Sequence, residues 1–178
     1  ARELLERGKQ NIDTHPPDDP VVKAELQSVL GRIDYRLGLY AQASELQQQA
    51  AAGFGAAGGH ALQQAQTELD RVETLNEILD IKAVTVALPI AAAHLAAIPA
   101  APAADRVRLL MAQTRLAFNK RDMQAAKQHA DAMLARARKA HVDDDLLSMA
   151  LLTAGNVEWA RHALDTAEAD YREALSAI

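Results

Sequence analysis

The sequence has no cysteine among its 178 residues, and aromatic residues make up only 3% of it. The absence of cysteine excludes disulfides, thiolate catalysis and cysteine-ligated metal, although it leaves the compartment open. No segment has the features of a signal peptide. The most apolar stretch, Ala83 to Ala97, is shorter than the roughly 20 residues that a membrane span needs, and it contains Pro89 and His94. We therefore expect a buried helix here, and a soluble fragment that does not insert into a membrane.

The composition favours a single all-α domain. Alanine, the best helix former, is abundant, whereas β-branched residues are scattered and give strands little support. The net charge of −5 disfavours binding to a phosphate backbone. The basic run from Arg136 to Lys139 is short, and cations at the end of a helix complement its dipole. We therefore predict no nucleic-acid partner.

Proline, glycine and aspartate divide the sequence into helical blocks, with breaks at Thr14–Pro20, Gly53–Gly59, Pro99–Pro102 and Val142–Asp145. Asp19 and Pro20 have the residue types of an N-cap and a first helical position, and Asp105 is expected to cap the third block. The glycine-rich break is expected to be a flexible loop. Between the breaks, apolar residues recur at helical spacing, and one such face comprises Leu26, Val29, Leu30, Ile33 and Leu37.

The first block contains a pattern that suits a hairpin of two helices. Gly31, Ala43 and Ala50 are small, so they allow two helices to approach closely, while Leu30 and Tyr40 would fill the surrounding space. Gly38 would end the first helix, because glycine adopts the left-handed conformation at little cost.

These residues resemble the tetratricopeptide repeat, with its Leu-Gly pair, its Gly-x-Tyr-x-x-Ala segment and its later alanine. One departure is Asp34, where the family usually has a large aromatic or aliphatic residue. The resemblance implies an all-α, right-handed, curved solenoid of antiparallel helix hairpins with a concave binding surface.

Further copies of the pattern follow at similar spacing. Gly155, Ala167 and Ala174 match Gly31, Ala43 and Ala50, and Tyr171 falls at the position of Gln47. Thr114, Met123 and Ala126 form a weaker copy, and a degenerate copy is centred near Val72 and carries Pro89. Ala1 and Gly8 match Ala43 and Ala50, so the chain opens on the second half of an earlier repeat. We therefore predict one repeat domain over 1–178, with a half-repeat at 1–14 and repeats at about 19–54, 59–98, 104–140 and 143–178.

No motif of an enzyme, metal site or cofactor site is present, so we expect no catalytic residue, no metal and no cofactor. The glycines at 53–59 lack the lysine and hydroxyl residue of a phosphate-binding loop. The acidic run at Asp143–Asp145 lacks the spacing of a calcium loop and suits a helix start. The six histidines are dispersed, without paired spacing on one helix face.

The tetratricopeptide-repeat resemblance also implies where a ligand binds. In this family the groove is lined by first-helix residues one and four places beyond the small residue that packs the hairpin. In three of four repeats the place four residues beyond the small residue is aromatic. In two of them the place one residue beyond it, one helical turn earlier, is an arginine. The predicted groove residues, with Arg36 added beside the first pair, are Arg32, Tyr35, Arg36, Arg115, Phe118, Asn156 and Trp159. The alternative is that the three aromatic side chains pack between neighbouring repeats.

The opening third of the sequence also resembles the repeat region that follows the kinase domain in many bacterial serine/threonine kinases. This second resemblance implies a sensory or docking region that binds a protein or peptide. The region would lie outside the cytoplasm if the chain is attached to a membrane kinase. The alternatives are a cytoplasmic transcriptional regulator or secretion chaperone, and a structural oligomerisation module. The last helix is expected to present an apolar face with Leu164, Tyr171, Leu175 and Ile178, covered either by another copy of the chain or by residues outside this sequence.

Overall fold

The computed structural model describes residues 7–10, 12 and 14–177. All regular elements in this described part are helical, which confirms the predicted all-α class. Helical residues at 7–10, 12 and 14 form a leading segment. Eight helices with complete bounds follow it: α1 Pro20–Arg36, α2 Tyr40–Ala57, α3 Ala61–Glu77, α4 Ile81–Ala96, α5 Ala103–Asn119, α6 Met123–Ala140, α7 Asp144–Ala160 and α8 Leu164–Ser176. Ala1, which was matched to Ala43, and Ile178, which was assigned to the apolar face of the last helix, lie outside the described residues.

Each odd-numbered helix ends in the same kind of turn. The residue with positive φ is Gly38 in the first turn (73°), and it is a non-glycine residue in the other three: Leu79 (54°), Arg121 (63°) and His162 (63°). In each turn the next backbone N–H donates to a carbonyl oxygen five residues earlier, for example Leu39 to Asp34 at 2.8 Å and Ala163 to Glu158 at 2.9 Å. This bond satisfies a carbonyl that the helix end would otherwise leave unpaired.

The positions of these four turns, 38, 79, 121 and 162, are 41, 42 and 41 residues apart. Three residues separate the helices at each of these turns. A turn this short makes the two helices that it joins run in opposite directions. The helices joined at Gly38, at Arg121 and at His162 therefore form antiparallel pairs.

Small residues let the two helices of the first and last pairs approach closely. A Cβ added at Gly31 would lie 2.9 Å from Cγ of Gln47, and one added at Gly155 would lie 2.5 Å from Cε1 of Tyr171. Tyr171 was assigned to the position of Gln47, so the two pairs use equivalent residues for the same contact. The close approach explains why alanine residues fill the interior: Ala43, Ala50, Ala167 and Ala174 are all at most 2% exposed.

The chain divides into two compact units, one comprising Ala1–Asp80 with Pro89–Ile98 and the other comprising Ile81–Leu88 with Pro99–Ile178. In the first unit, Phe54 packs with Ala24 and Ala50 between α1 and α2. In the second unit, Met133 and Leu151 are fully buried in a cluster drawn from α5, α6, α7 and α8. The boundary falls between Leu88 and Pro89, inside α4, which is continuous through the proline that was expected to kink or split it.

Two expectations about helix ends were wrong. Residues 53–57 of the glycine-rich break are the last turn of α2, and only Gly58 and Gly59 leave the helix, with φ of 70° and 72°. Gly53 belongs in the helix because a Cβ there would lie 2.9 Å from Cβ of Ala24 on α1. Asp105 does not cap α5, which begins at Ala103. The expected caps at Asp19 and Asp143 are confirmed, since their carboxylates accept hydrogen bonds from backbone N–H groups at 2.8 Å.

The apolar face that the sequence predicted for α1 is largely exposed. Its members are between 39% and 53% exposed, apart from the half-buried Leu30: Leu26, Val29, Ile33 and Leu37. The buried face of α1 instead comprises Ala24, Gln27, Ser28, Gly31 and Asp34. Helical periodicity identifies an apolar face, but it does not show which side of the helix the other helices cover.

Candidate functional site

Asp34 shows how the first unit accommodates a carboxylate at a buried position. Its side chain is fully buried, and Nζ of Lys9, in the leading segment, lies 2.7 Å from Oδ2. The leading segment thus provides the charge that a carboxylate needs when it is removed from water. Lys9 therefore compensates the buried charge of Asp34.

Glu158 occupies the corresponding place in the last pair, three residues beyond Gly155 as Asp34 is three beyond Gly31. It is 5% exposed and lies 3.2 Å from Nζ of Lys127 and 2.8 Å from a guanidinium nitrogen of Arg161. Lys127 also binds Asp131, and this hydrogen bond raises the pKa of Lys127 against the opposing effect of burial. The ion pairs of Asp34 and Glu158 are structural, because both carboxylates face the preceding helical segment.

The predicted groove residues of the first unit lie on α1. Arg32 and Arg36 are exposed, whereas Tyr35 is half-buried and makes an edge-to-face contact with Tyr40, with ring centroids 5.6 Å apart. Tyr35 therefore packs within its own helix pair. Arg32 lines a groove between α1 and α3.

This groove carries charges of both signs and also includes the apolar side chains of Val29 and Phe54. The α1 side includes Glu25, Ser28 and Arg32, and the α3 side includes Gln63, Gln66, Thr67 and Asp70. Amide and hydroxyl groups can both donate and accept hydrogen bonds, as the backbone of an extended peptide requires. The two carboxylates offset the charge of Arg32, so the groove does not have the net positive charge that a strictly acidic ligand would favour.

In the second unit, Arg115 and Phe118 on α5 are half-buried, while Asn156 and Trp159 on α7 are exposed. Trp159 is the only tryptophan of the sequence and is 62% exposed. Oδ1 of Asn156 accepts a hydrogen bond of 2.9 Å from the Tyr171 hydroxyl, which holds the amide in a fixed orientation. Trp159 is therefore not a packing residue within the second unit.

Two further apolar side chains line up with Trp159 on α7. Met149 is 49% exposed and Leu152 is 43% exposed. Because residues 149, 152, 156 and 159 are spaced by three and four, they lie on one side of the helix. We call this set, Met149, Leu152, Asn156 and Trp159, the α7 surface. Sequence reasoning missed Met149 and Leu152, although their helical spacing from Trp159 was a usable signal.

The described residues do not bring the components of a metal site together. Within them, no group of three or more histidine, aspartate or glutamate side chains is arranged to hold an ion. The described helices also include none that is both long enough and apolar enough to cross a membrane.

Comparison with known proteins gives a structural relative. No family model and no curated protein sequence matches the chain. Its fold is similar to the crystal structure of BtubC (BKLC) from P. vanneervenii, with a TM-score of 0.72 and 18% sequence identity. The similarity covers 99% of this chain and 69% of BtubC. At this identity the comparison supports the all-helical fold and says nothing about function.

Proposed function

We propose that this chain is a scaffold of tetratricopeptide type that binds a protein or peptide on the surfaces of its first helices. The observation that carries the proposal is the exposure of Trp159 within the α7 surface. Tryptophan is enriched at binding hot spots, because a large flat ring gains much contact area when it is covered. The residues behind the α7 surface are firmly packed: Leu151 and Ala154 are at most 2% exposed.

The α7 surface suits a partner that presents an apolar side with one hydrogen-bonding group. Met149, Leu152 and Trp159 offer apolar contact, and the amide nitrogen of Asn156 is a donor whose direction is fixed by the bond to Tyr171. The groove beside Arg32 provides a second contact area, in the first unit. Because the opening third resembles the repeat region that follows the kinase domain in many bacterial serine/threonine kinases, we propose that the scaffold serves as the sensory or docking region of a signalling protein.

The proposal is tested by comparing partners captured by wild-type protein and by a Trp159→Ala variant from cells that express the protein. We expect selective loss of the true partner, by about 30-fold if Trp159 is a hot spot worth about 2 kcal/mol. Val86→Ala is the matched control, because Val86 is 68% exposed and lies on α4 rather than on α7. An Arg32→Ala, Arg115→Ala double variant tests the predicted arginine positions in the same way.

Trp159→Ala, Val86→Ala and the arginine double variant must each keep the helicity of the wild type, measured by circular dichroism, before their binding is compared. Equal recovery of each captured protein by wild type, Trp159→Ala and the arginine double variant would exclude the first-helix surfaces as the binding site.

A further inference from the structure

The groove between α1 and α3 has the size of a site for a small ligand. Its volume is about 290 Å³, and pockets that bind small molecules begin at about 300 Å³. Phe54 lines the groove although the residue is only 3% exposed, and Val29 adds a second apolar side chain. A site of this size fits a ligand of a few residues rather than the surface of a folded protein.

Two opposite charges in this groove have no partner within the part of the chain that the structure describes. Glu25 and Arg32 are both exposed on α1, and neither forms an ion pair or a side-chain hydrogen bond with another described residue. They are separated by two helical turns, so both lie on one side of α1, about 10 Å apart along its axis. The groove thus offers a carboxylate for a cation and a guanidinium for an anion at this separation.

Ser28 lies between these two charges on α1 and has an unsatisfied hydroxyl. The residue is 6% exposed and lines the groove, yet its hydroxyl forms no hydrogen bond with another described residue. Thr67, on the α3 side of the groove, differs because its hydroxyl donates to the carbonyl oxygen of Gln63 at 2.8 Å. Buried hydroxyl groups are rarely without a partner. The free hydroxyl of Ser28 therefore points to a ligand that places a polar group in the groove.

We propose that this groove binds a short peptide with both termini free, whose ammonium group lies at Glu25 and whose carboxylate lies at Arg32. The inference rests on the proposed function, peptide binding on the surfaces of the first helices, and it names the ligand class for the first unit. Three extended residues span about 10 Å, which matches the separation of the two charges. A peptide group in the middle of this ligand would lie at Ser28, whose hydroxyl can donate to a carbonyl oxygen or accept from an N–H.

The balance of charge in the groove favours a ligand with two free termini. Glu25 and Asp70 both line the groove with Arg32, so an acidic segment would contact one cation and be repelled by two carboxylates. A peptide with free termini is neutral overall and carries one charge of each sign, at opposite ends. Hydrogen bonds to charged groups are about twice as strong as those between neutral groups, so both termini contribute to affinity. An internal segment of a protein lacks both terminal charges and would bind more weakly.

The experiment titrates the isotope-labelled whole chain with trialanine and follows the backbone amide chemical shifts by NMR. We expect saturable shifts in α1 and α3, with a dissociation constant below about 1 mM. Arg32→Ala and Glu25→Gln should each raise the dissociation constant at least about tenfold, and Ser28→Ala should raise it about fivefold. Lys23→Ala is the matched control for Arg32→Ala, because it removes one positive charge from the same helix outside the groove. This control should change the dissociation constant by less than about twofold.

Blocked peptides assign each terminus to its residue. Trialanine acetylated at its amino end should bind the wild type at least about tenfold more weakly than trialanine, and in Glu25→Gln the two peptides should differ by less than about threefold. Trialanine amidated at its carboxyl end should show the same pattern with Arg32→Ala. Equal binding of trialanine and of the peptide blocked at both ends would overturn the proposal, and so would the absence of any shift at millimolar trialanine.

The titration and the test of the proposed function can fail separately. The titration contains no partner protein, so a negative result removes only the peptide ligand of the α1–α3 groove. Equal recovery of captured proteins by wild type, Trp159→Ala and the arginine double variant would instead refute the proposed function.

Discussion

Gly155→Ala tests the close approach of α7 and α8 at one atom. The added Cβ would lie 2.5 Å from Cε1, 2.8 Å from Cδ1 and 3.1 Å from Cζ of Tyr171. Ordinary contacts between carbon atoms are about 3.5–4.0 Å, so the ring would have to move by about 1 Å. The movement would also disturb the 2.9 Å hydrogen bond from the Tyr171 hydroxyl to Asn156. Overpacking costs about 1–3 kcal/mol, and a displacement this large belongs in the upper part of that range, at about 2–3 kcal/mol.

Two opposite effects determine the net change. Alanine is a better helix former than glycine by about 1 kcal/mol, which offsets part of the clash. We therefore expect Gly155→Ala to lower the free energy of unfolding by about 1–2 kcal/mol. Gly8→Ala is the control for the helix term, because Gly8 is in the leading segment and a Cβ there would meet no atom within 4 Å. This variant should be slightly stabilised.

A double-mutant cycle with Tyr171→Ala isolates the clash. With the ring removed, Gly155→Ala should stabilise the protein by about 1 kcal/mol, so the coupling energy should be about 2–3 kcal/mol. The measurement is urea unfolding followed by circular dichroism and by fluorescence of Trp159, which reports on the second unit. The reasoning would be refuted if Gly155→Ala left the stability of the wild-type protein unchanged or increased it. The same change in stability in wild type and in Tyr171→Ala would also refute it.

Three further predictions concern a turn, a buried carboxylate and the helix with an internal proline. Arg121→Gly should stabilise the protein by about 0.5–1 kcal/mol in thermal unfolding, because glycine removes the strain of the positive φ at this position. Part of this gain is lost because glycine also raises the entropy of the unfolded chain. Arg121→Ala keeps the strain and should not stabilise the protein. Burial raises the pKa of Asp170, so the native state binds its proton more tightly than the unfolded state and stability falls as the pH rises through the interval above the ordinary aspartate pKa. Asp170→Asn should therefore raise the melting temperature at neutral pH and have little effect at low pH, and equal effects at both would contradict this cause. Hydrogen exchange should be fastest in residues 81–97, because Pro89 removes a backbone hydrogen bond from α4. If exchange is slowest in these residues, the proline does not lower the local stability of α4.

The sequence by itself determined the helical class and some of the helix ends. Alanine-rich blocks without β-branched runs favour helices, and Asp19 and Asp143 cap the helices that they were expected to cap, because capping depends only on neighbouring residues. The spacing of about 41 residues was also readable, since the small residues at Gly31 and Gly155 recur with it. The repeat family, the peptide groove and the kinase context stay predictions.

The tertiary structure decided which side of each helix is covered and which turns need a left-handed residue. The apolar face of α1 and the buried Asp34 have the reverse of the burial that hydrophobicity predicts, because neighbouring helices and Lys9 determine burial there. The turns at Leu79, Arg121 and His162 adopt the same conformation as Gly38 without glycine, so the sequence pattern missed them. Packing of the paired helices supplies the free energy that holds these residues at positive φ, and that energy comes from contacts between distant parts of the chain.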